Sequence, residues 1–553
     1  MATKIQQRRD TAANWASVNP VLAQGELGYI TDSTDFKIGD GTTAWNSLAP
    51  WSSTIKPSSG LLVIADNGYG TGLYNATAST VGTSELMYTV GIAATDITVL
   101  WEHWYTSAGT VHADTDPSGP ISFNASIRIV SSSNPNTVVD TIYRITFGGR
   151  TTATLDPGGQ IVADPVGISV APGDVIAIRT YLASGTAYCG RATYGVANWG
   201  GFTAASDLTA PGSAAIASST GNYYGPAAVL GRPTAIKKSV FLVGDSIQFG
   251  VGDGYFGSLA GRTPTTAWFS QGGFAMRALS ASAGVLSVAQ AADYATWFIG
   301  TNGSFRRLSN ARFCTSAIIE YGVNDLILGS VSATQLEAAN LAIAATIRAA
   351  GINKVFLTTI TPKTSSTDGW ATVGNQTVAA PSIEPRRVAY NAWVRAGCPI
   401  DPTSLAPVTV GTSGALLAGS FRHPITGFFD TASKVESSLN SGLWLPCQRV
   451  ITGSISASST TLTSSTASFN SARQEAGGDL GATAMIIGAG AGGANSQVFI
   501  SAVGSSTSAT VTTAASTAIT NGQINMGVMT IDGLHPSTEG HYRMSQVIDA
   551  ALL

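Results

Sequence analysis

The spacing of apolar residues changes near residue 236, and this change constrains the fold more than any other feature. Over residues 55–233, alternating runs such as 121–127 and 175–181 are punctuated by Gly, Pro, Asp and Asn, which predicts antiparallel strands. Further along, apolar strands alternate with amphipathic helices, as in a helix over 334–350 followed by a strand over 353–361. Such alternation favours a parallel sheet with helices on both faces. The sequence therefore predicts a β-sandwich followed by a flavodoxin-like, three-layer α/β/α domain.

Three polar motifs in the second half of the chain carry groups that acyl transfer requires. A G-D-S motif ends at Ser246 after an apolar strand, a G-V-N-D motif contains Asn324 after another, and D-G-L-H runs from Asp532 to His535. Because a serine hydroxyl is a weak nucleophile near neutral pH, Ser246 needs a base. The chain has five histidines, and only His535 has a carboxylate three residues before it in a turn-like segment.

These motifs, in this order, resemble the blocks of the SGNH (GDSL-type) serine hydrolases over roughly residues 236–553. The resemblance implies that Ser246 is the nucleophile, that His535 is the base and that Asp532 orients it. It also implies an oxyanion hole built from the Ser246 backbone N–H, the Asn324 amide and a glycine backbone N–H.

Two assignments within this resemblance keep an alternative. The glycine block is degenerate and reads F-S-Q-G-G-F over residues 269–274; we place the donor at Gly273, with Gly272 as the alternative. His541 is the alternative base, but it falls on the expected last helix, residues 537–552, where we expect an exposed histidine.

The N-terminal segment carries a second resemblance. Its strings are I-Q-Q-R-R-D-T-A-A-N-W at 5–15, N-P-V-L at 19–22, G-E-L-G-Y at 25–29 and F-K-I-G-D-G-T-T-A-W at 36–45. They resemble the N-terminal module of phage tail-fibre and tailspike proteins, found also in tropism determinants and phage hyaluronidases. The expected core residues are Trp15, Tyr29, Phe36 and Trp45. Because so small a unit has little core, it should rely on oligomerisation or docking. The resemblance implies that it attaches to phage tail or baseplate proteins and that the chain forms a homotrimer.

Between Cys447 and Gly527 the chain becomes rich in Ser, Thr, Ala and Gly, with short β-type runs. This pattern predicts a small all-β module inserted before the D-G-L-H motif; a long disordered loop is the alternative. The predicted domains are the attachment module 1–53, the β-sandwich 54–235, the hydrolase parts 236–447 and 527–553, and the inserted β-module 448–526.

Other features of the sandwich region have two interpretations. The aromatic residues of its Gly-rich loops, which either stack on sugar rings or pack the protein, are Tyr194, Trp199, Tyr223 and Tyr224. The acidic loop around His112, Asp114 and Asp116 has only a loose metal-ligand spacing, so we expect it to be solvated and assign no metal.

Composition excludes several classes of protein. Charged residues make up 11% of the chain and the net charge is −3, so nothing favours binding to nucleic acid. Neither a secretory signal nor a membrane-spanning apolar run is expected, which indicates synthesis in the host cytoplasm without membrane insertion. The four cysteines are expected as buried thiols, with a bridge between Cys398 and Cys447 as the weaker alternative.

The sequence thus predicts a virion protein of the phage tail, a tailspike or receptor-binding protein that carries a serine esterase. Its expected substrate is acetylated polysaccharide of the host surface, whether O-antigen, capsule or exopolysaccharide. No cofactor is expected. The alternatives are a catalytically idle glycan-binding tail protein and a free bacterial carbohydrate esterase.

Overall fold

The structure is a computed structural model. It describes residues 8–24, 26–31, 36–39, 41–47, 50–51, 60–66, 82–106, 113–130, 140–184, 191–192, 203–204, 206–214, 216, 222–235, 238–254, 273–279, 282–300, 305–465 and 469–553. The multidomain, largely β organisation expected from the sequence is confirmed. Among the described residues, no helix combines the length and apolar character needed to cross a membrane.

The N-terminal region is a four-stranded sheet with one helix. Its elements are β1 Arg8–Asp10, α1 Ala12–Val18, β2 Leu27–Ile30, β3 Phe36–Ile38 and β4 Pro50–Trp51. Trp15 and Trp45 stack with ring centroids 4.0 Å apart in its core. Tyr29, expected in this core, is 39% exposed, because Ile30 points inward and neighbouring strand residues face opposite sides. The side chain of Phe36 lies outside the described part of the chain.

The second region consists of strands, in keeping with the alternating pattern of its sequence. They are β5 Leu62–Val63, β6 Ala65–Asp66, β7 Gly82–Val90, β8 Ala94–Glu102, β9 Tyr105–Thr106, β10 Asp114–Thr115, β11 Ile121–Ile129, β12 Tyr143–Ile145, β13 Thr152–Leu155, β14 Gln160–Val162, β15 Val175–Ser184, β16 Arg191–Ala192, β17 Thr203–Ala204, β18 Asn222–Tyr223 and β19 Ala228–Pro233. A seven-stranded sheet and a four-stranded sheet enclose one apolar core that contains Trp101 and Phe123. β9 and β10 form a separate hairpin.

The third region has a five-stranded parallel sheet with the strand order β21-β20-β22-β23-β26. Its strands and helices are β20 Ser239–Gly244, α2 Ser246–Phe249, α3 Gly273–Leu279, β21 Gly284–Ser287, α4 Ala295–Phe298, α5 Phe305–Ser309, β22 Ser316–Glu320, α6 Val323–Ile327, α7 Ala333–Ala349, β23 Lys354–Thr358, β24 Thr364–Ser366, β25 Gln376–Val378, α8 Glu384–Arg395 and β26 Gly427–Phe429. The longest helix, α7, begins with a capping box in which Ser332 and Gln335 exchange hydrogen bonds. Strands β20 and β22 are fully buried, as expected for a parallel sheet between helices.

The inserted segment forms a closed six-stranded β-barrel, so the expected small β module is confirmed. Its strands are β27 Arg449–Ile455, β28 Thr461–Thr463, β29 Thr483–Ile486, β30 Ser496–Ser505, β31 Ser508–Val511 and β32 Ile519–Met526. The helix α9 Thr538–Ser545 follows it, and short 3-10 helices occur at Asn310–Phe313, Ala432–Lys434, Gln474–Ala476 and Ala491–Gly493.

The β-sandwich packs tightly against the third region. The Ser239 hydroxyl, at the start of β20, donates to the carbonyl of Val63 in β5. A Cβ at Gly284 would lie 1.9 Å from that same Val63 carbonyl oxygen, so only glycine permits this approach of β21 to the sandwich. The two regions therefore share a buried interface.

Candidate active site

Ser246 stands at the turn between β20 and α2. The Asp245 side chain caps the helix by accepting the Ile247 N–H at 2.9 Å, and Gly250 ends the helix with a φ of 89°. A Cβ at Gly244 would lie 2.4 Å from the Glu320 carbonyl oxygen, so the strand reaches the turn in close contact with β22. The Ser246 residue is 5% exposed. The nucleophile candidate is thus fixed by the strand, the cap and the neighbouring strand.

Two buried carboxyl groups lie directly behind this turn. Glu320, the last residue of β22, accepts the Gln248 N–H at 3.0 Å. Burial raises the pKa of Glu320 to about 7. Burial, followed by the charge of Glu320, raises the pKa of Asp245 well above its ordinary value. The pair therefore retains a proton near neutral pH, which lets two carboxyl groups share this small buried space beneath Ser246.

Asn324 lies at the end of the strand next to that of Ser246. The register pairs Gly244 with Glu320, so both polar residues follow the carboxyl ends of neighbouring parallel strands. One amide hydrogen of Asn324 Nδ2 is donated to the Asp293 carbonyl at 3.0 Å. The Nδ2 atom carries a second hydrogen, which is the chemical requirement for an oxyanion donor.

The residue after Asn324 fixes the same neighbouring segment. The Asp325 carboxylate accepts the backbone N–H groups of Ala295 and Thr296 at 2.9 and 3.0 Å, and the Thr296 hydroxyl at 2.8 Å. Together with the bond from Asn324 to Asp293, these contacts hold the start of α6 against residues 293–296. The Asn324 side chain and the residue that follows it are therefore both bound to this one segment.

Asp532 and His535 lie in one tight loop before α9. Asp532 Oδ1 accepts the backbone N–H groups of Leu534 and His535 at 2.9 and 2.8 Å, which folds the loop. The other oxygen, Oδ2, is 2.7 Å from His535 Nδ1. One carboxylate therefore shapes the turn and also orients the imidazole within it.

His535 and Ser246 are 289 residues apart in the sequence, and the loop brings their side chains together. His535 Nε2 is 2.9 Å from Ser246 Oγ. With Nδ1–H donating to Asp532, the Nε2 atom is free to accept the serine proton. Burial raises the pKa of Asp532, but the hydrogen bonds and charge of His535 outweigh burial and hold that pKa below its ordinary value. The carboxylate is consequently ionised at neutral pH.

Long-range contacts hold this loop in place. The Gly533 carbonyl accepts the Thr364 N–H and the Trp444 Nε1–H, both at 2.9 Å. Gly533 has a φ of 86°, and a Cβ there would lie 1.9 Å from the Thr364 carbonyl oxygen and 2.9 Å from the Trp370 ring. The sequence motifs missed Thr364, Trp370 and Trp444, because only the tertiary fold places them beside the loop.

The two histidines considered as the base lie in different surroundings. His541 is completely buried in α9, its Nε2 lies 3.1 Å from the Val251 carbonyl, and its ring stacks at 6.4 Å from Phe274. The expectation of an exposed helix histidine is therefore wrong. Burial lowers the pKa of His541 to about 4, which keeps it neutral. Of the two histidines, only His535 contacts the Ser246 hydroxyl.

Gly273, the glycine predicted to complete the oxyanion hole, lies close to the end of α2. Gly273 begins α3 with a φ of 70°, and a Cβ there would lie 2.8 Å from the Gly250 Cα, so α3 approaches the end of the nucleophile helix closely. Gly272 and the rest of its block lie outside the described residues. The oxyanion role of Gly273 stays a prediction.

Of the four aromatic residues considered as glycan contacts, only Tyr224 has a side chain within the described part of the chain. Tyr224 is buried in the sandwich core, where its hydroxyl donates to the Glu102 carbonyl at 3.1 Å and its ring meets Phe123 edge-on. This arrangement agrees with the packing alternative and leaves Tyr224 without an exposed ring face for a sugar. Tyr194 and Trp199 lie outside the described residues, as does the side chain of Tyr223.

The acidic loop of the sandwich is not the solvated loop expected from its sequence. The Asp114 side chain is inaccessible to solvent and pairs with Arg307 at 2.8 Å, because α5 packs over it. Within the described residues, no group of His, Cys, Asp and Glu is arranged to hold a metal ion, and His112 lies outside them. Cys314, Cys398 and Cys447 are free buried thiols, so the alternative of a Cys398–Cys447 bridge is wrong; Cys189 is not among the described residues.

Comparison with known proteins gives one sequence match and several distant structural ones. The family described as the major tropism determinant N-terminal domain matches residues 5–43. No curated protein matches the sequence. One similar solved structure is a family two carbohydrate esterase from Clostridium thermocellum in complex with cellohexaose, with 13% identity, coverage of 61% of this chain and 86% of that chain, and a TM-score of 0.20. Another is a family two carbohydrate esterase from Cellvibrio japonicus, with 10% identity, coverage of 54% of this chain and 78% of that chain, and a TM-score of 0.19. A third is a structure of a peptidoglycan O-acetylesterase, with 10% identity, coverage of 57% of this chain and 72% of that chain, and a TM-score of 0.21. At these identities and TM-scores the structural similarity is distant.

Proposed function

We propose that this chain is a phage tail protein whose α/β region is a serine esterase that removes acetyl groups from host surface polysaccharide. The observation that carries the esterase assignment is the hydrogen-bonded series from Asp532 through His535 to Ser246, with distances of 2.7 and 2.9 Å. Binding alone does not require a serine, a correctly oriented imidazole and an ionised carboxylate in contact. This is the feature that distinguishes an esterase from an idle glycan-binding protein.

The arrangement suggests a two-step mechanism. Ser246 Oγ attacks the acetyl carbonyl carbon while His535 Nε2 takes its proton, and the Asp532 carboxylate stabilises the imidazolium that forms. The oxyanion is held by the second Asn324 amide hydrogen and the backbone N–H groups of Ser246 and Gly273. The tetrahedral intermediate then collapses and expels the sugar alkoxide, which takes the proton from His535. Water, deprotonated by His535, then attacks the acetyl carbon; the bond from this carbon to Ser246 Oγ breaks, His535 returns the proton to Oγ, and acetate leaves.

The phage assignment is supported by the match of residues 5–43 to the tropism-determinant domain. The described core of this module contains only Trp15, Leu22, Ile30 and Trp45, while Val18 and Val21 are 70% and 50% exposed. A module with so small a core and exposed apolar side chains suits docking on other tail proteins and assembly as a homotrimer. Light scattering on the full chain should give a trimer mass. A protein lacking residues 1–53 should keep hydrolysis and lose attachment to virions.

The direct test of the function is acetate release from a panel of acetylated capsules, O-antigens and exopolysaccharides. The matched control is Ser246→Ala, checked for native folding by circular dichroism. Wild-type protein should release acetate from at least one polysaccharide, and the variant should be slower by on the order of 10⁴-fold or more. Absence of turnover on the whole panel and on a small acetyl ester, or undiminished turnover by the variant, would refute the esterase.

A further inference from the structure

A buried chain of charged groups leads from the β-sandwich to the segment that holds Asn324. Asp114, in the β9–β10 hairpin, accepts Arg307 Nε–H at 2.8 Å, and Arg307 Nη1–H donates to Asp293 Oδ2 at 2.7 Å. The backbone carbonyl of Asp293 accepts the Asn324 amide at 3.0 Å. Three consecutive contacts therefore connect one domain to the oxyanion donor proposed in another.

Each member of this chain is removed from solvent. The side chains of Asp114, Arg307 and Asp293 are no more than 1% exposed. The pKa of Asp114 is raised by burial, with the charge and hydrogen bonds of Arg307 opposing that effect. Removing one partner from such a group leaves a buried charge without compensation, so the guanidinium position depends on both carboxylates. Because protein interiors are close-packed, a displacement of one such group is passed to its neighbours.

Further contacts fix the segment around Asp293. The Tyr321 hydroxyl donates to Asp293 Oδ2 at 2.8 Å, and the neighbouring Ala292 has a left-handed φ of 65°, which costs a non-glycine residue on the order of 1 kcal/mol. Gln290, three residues earlier, donates its N–H to the carbonyl of Gly244 at the end of the nucleophile strand. The segment is held in one strained turn between the nucleophile strand and Asn324.

The sandwich hairpin makes a second contact with this segment. The Thr106 hydroxyl of β9 donates to Gln290 Oε1 at 3.1 Å, and both residues are buried. The Asp114 carboxylate also accepts the backbone N–H groups of Arg306 and Arg307, so it fixes the start of α5 as well as the guanidinium. The hairpin thus contacts both ends of the stretch from Gln290 to Arg307.

We propose that the Asp114–Arg307–Asp293 chain positions the Asn324 amide, so that the β-sandwich is a structural part of the esterase site. This inference rests on the proposed function and deepens it. Asp114, Arg307 and Asp293 are positioning residues, because they act on the reaction through Asn324. The sandwich then contributes to the rate of the chemical step, whether or not it also binds glycan.

The test compares two nearby aspartates, Asp114 in β10 and Asp116 directly after that strand. Asp114→Ser removes the buried charge that holds Arg307, whereas Asp116→Ser removes a 46% exposed partner of Arg306 that has no contact with Asp293. Tyr321→Phe, which loses one hydroxyl and keeps its shape, is the variant least exposed to misfolding. All are assayed with a small acetyl ester, alone and combined with Asn324→Ala.

Asp114→Ser and Tyr321→Phe should lower kcat by roughly 5- to 50-fold and 2- to 10-fold, with KM within about twofold of wild type. In the Asn324→Ala background the same changes should lower kcat by less than about twofold, because the group they position is already missing. Asp116→Ser should leave kcat unchanged. An unchanged kcat for Asp114→Ser and Tyr321→Phe, or equal losses in both backgrounds, would overturn the proposal.

Hydrogen–deuterium exchange on the full chain decides the same question without catalysis. Asp114→Ser and Tyr321→Phe should accelerate exchange at residues 293–296 and 324–329, where backbone groups depend on the Asn324 and Asp325 contacts. Asp116→Ser should not. Acceleration confined to the hairpin, or spread evenly over the domain, would contradict the proposal even if the protein has no esterase activity. Failure of the proposed function would instead appear as inactive wild-type protein.

Discussion

The two halves of the candidate site are held in different ways. Ser246 and Asn324 are 5% and 6% exposed and follow the ends of neighbouring parallel strands, so the core of the α/β region sets their backbone positions; the Asn324 amide has a further contact with Asp293. The side chains of Asp532 and His535 are 31% and 18% exposed and lie in a loop. Their position depends on contacts that arrive from elsewhere in the chain.

Those contacts come from Trp444 and from the hairpin of β24 and β25, which the inserted barrel contacts in turn. β24 and Trp444 hold the Gly533 carbonyl, and Asn525 of the barrel donates to the carbonyls of Asp368 and Gly369 in the β24–β25 connection at 2.7 and 2.9 Å. A parallel sheet can therefore place a serine such as Ser246 by local structure alone. A histidine presented by a distant loop requires contacts from other segments, and Trp444 and the β24–β25 hairpin provide them for His535.

The largest difference should appear between the two C-terminal histidines. His535→Ala should lower kcat by on the order of 10⁴-fold or more, because Ser246 loses its base. The control is His541→Gln, whose amide can still donate to the Val251 carbonyl, and it should change kcat by less than about threefold. The reverse ranking would show that the loop is not part of the catalytic site.

Loss of the strand-held donor should be the next largest effect. Asn324→Ala should lower kcat by about 10²–10³-fold, which corresponds to about 2.7–4 kcal/mol of transition-state stabilisation. Asn340→Ala is the matched control, because its amide donates to the Tyr390 hydroxyl in the core. That change should reduce thermal stability and leave kcat unchanged. Equal losses of kcat in both variants would remove Asn324 from the oxyanion hole.

Two glycine substitutions test whether the loop of Asp532 and His535 depends on the β24–β25 hairpin. Gly533→Ala should lower kcat by roughly 10²-fold, since the added methyl group collides with the Thr364 carbonyl and displaces His535 by about an ångström. Gly374 lies beyond β24 in the same hairpin and has open space where a Cβ would be, so Gly374→Ala should behave as wild type. Normal turnover by Gly533→Ala would show that the loop tolerates movement.

The smallest effect should appear in stability, at the contact between the barrel and α9. The fully buried Glu539 carboxylate accepts the Thr483 N–H of β29 at 3.0 Å, and burial raises its pKa to about 7. Since this pKa lies above the unfolded value, the stabilisation by Glu539 is complete below about pH 4.5 and is lost as pH rises through 7.

Glu539→Gln cannot titrate, so its advantage over wild type should grow with pH. Between pH 5 and pH 8 the Tm of wild type should fall relative to that of the variant by roughly 2–6 °C, measured by scanning calorimetry. A constant difference between the two proteins over this range would mean that Glu539 does not titrate at the barrel contact.

The same division explains what the sequence could predict. The strand-held residues follow apolar runs such as 240–243, and the structure brings Ser246 and Asn324 to one edge of a parallel sheet. The D-x-x-H spacing indicates the Asp532–His535 contact, because one Asp side chain reaches both the backbone and the imidazole of a single turn. Local patterns were sufficient for both.

Contacts between distant segments were beyond the reach of local patterns. Nothing in the spacing of Asp114 or Arg307 indicates that they meet, and an acidic loop was expected to be solvated. His541 was expected on a helix surface, whereas α9 packs it against the turn after α2. That helix was also expected to continue to Leu552; it ends at Ser545, and Lys238 binds the Ala550 carbonyl beyond it. Each of these outcomes depends on tertiary packing.

The most direct test of the central claim is covalent labelling of Ser246. Full-length protein treated with a fluorophosphonate should gain one adduct, which peptide mass spectrometry should locate on Ser246 and on no other serine. The adduct should form at least about a hundredfold more slowly in His535→Ala, because activation of the hydroxyl requires the imidazole. Labelling elsewhere, or labelling of Ser246 at the same rate in both proteins, would contradict the assignment of Ser246 and His535 as nucleophile and base.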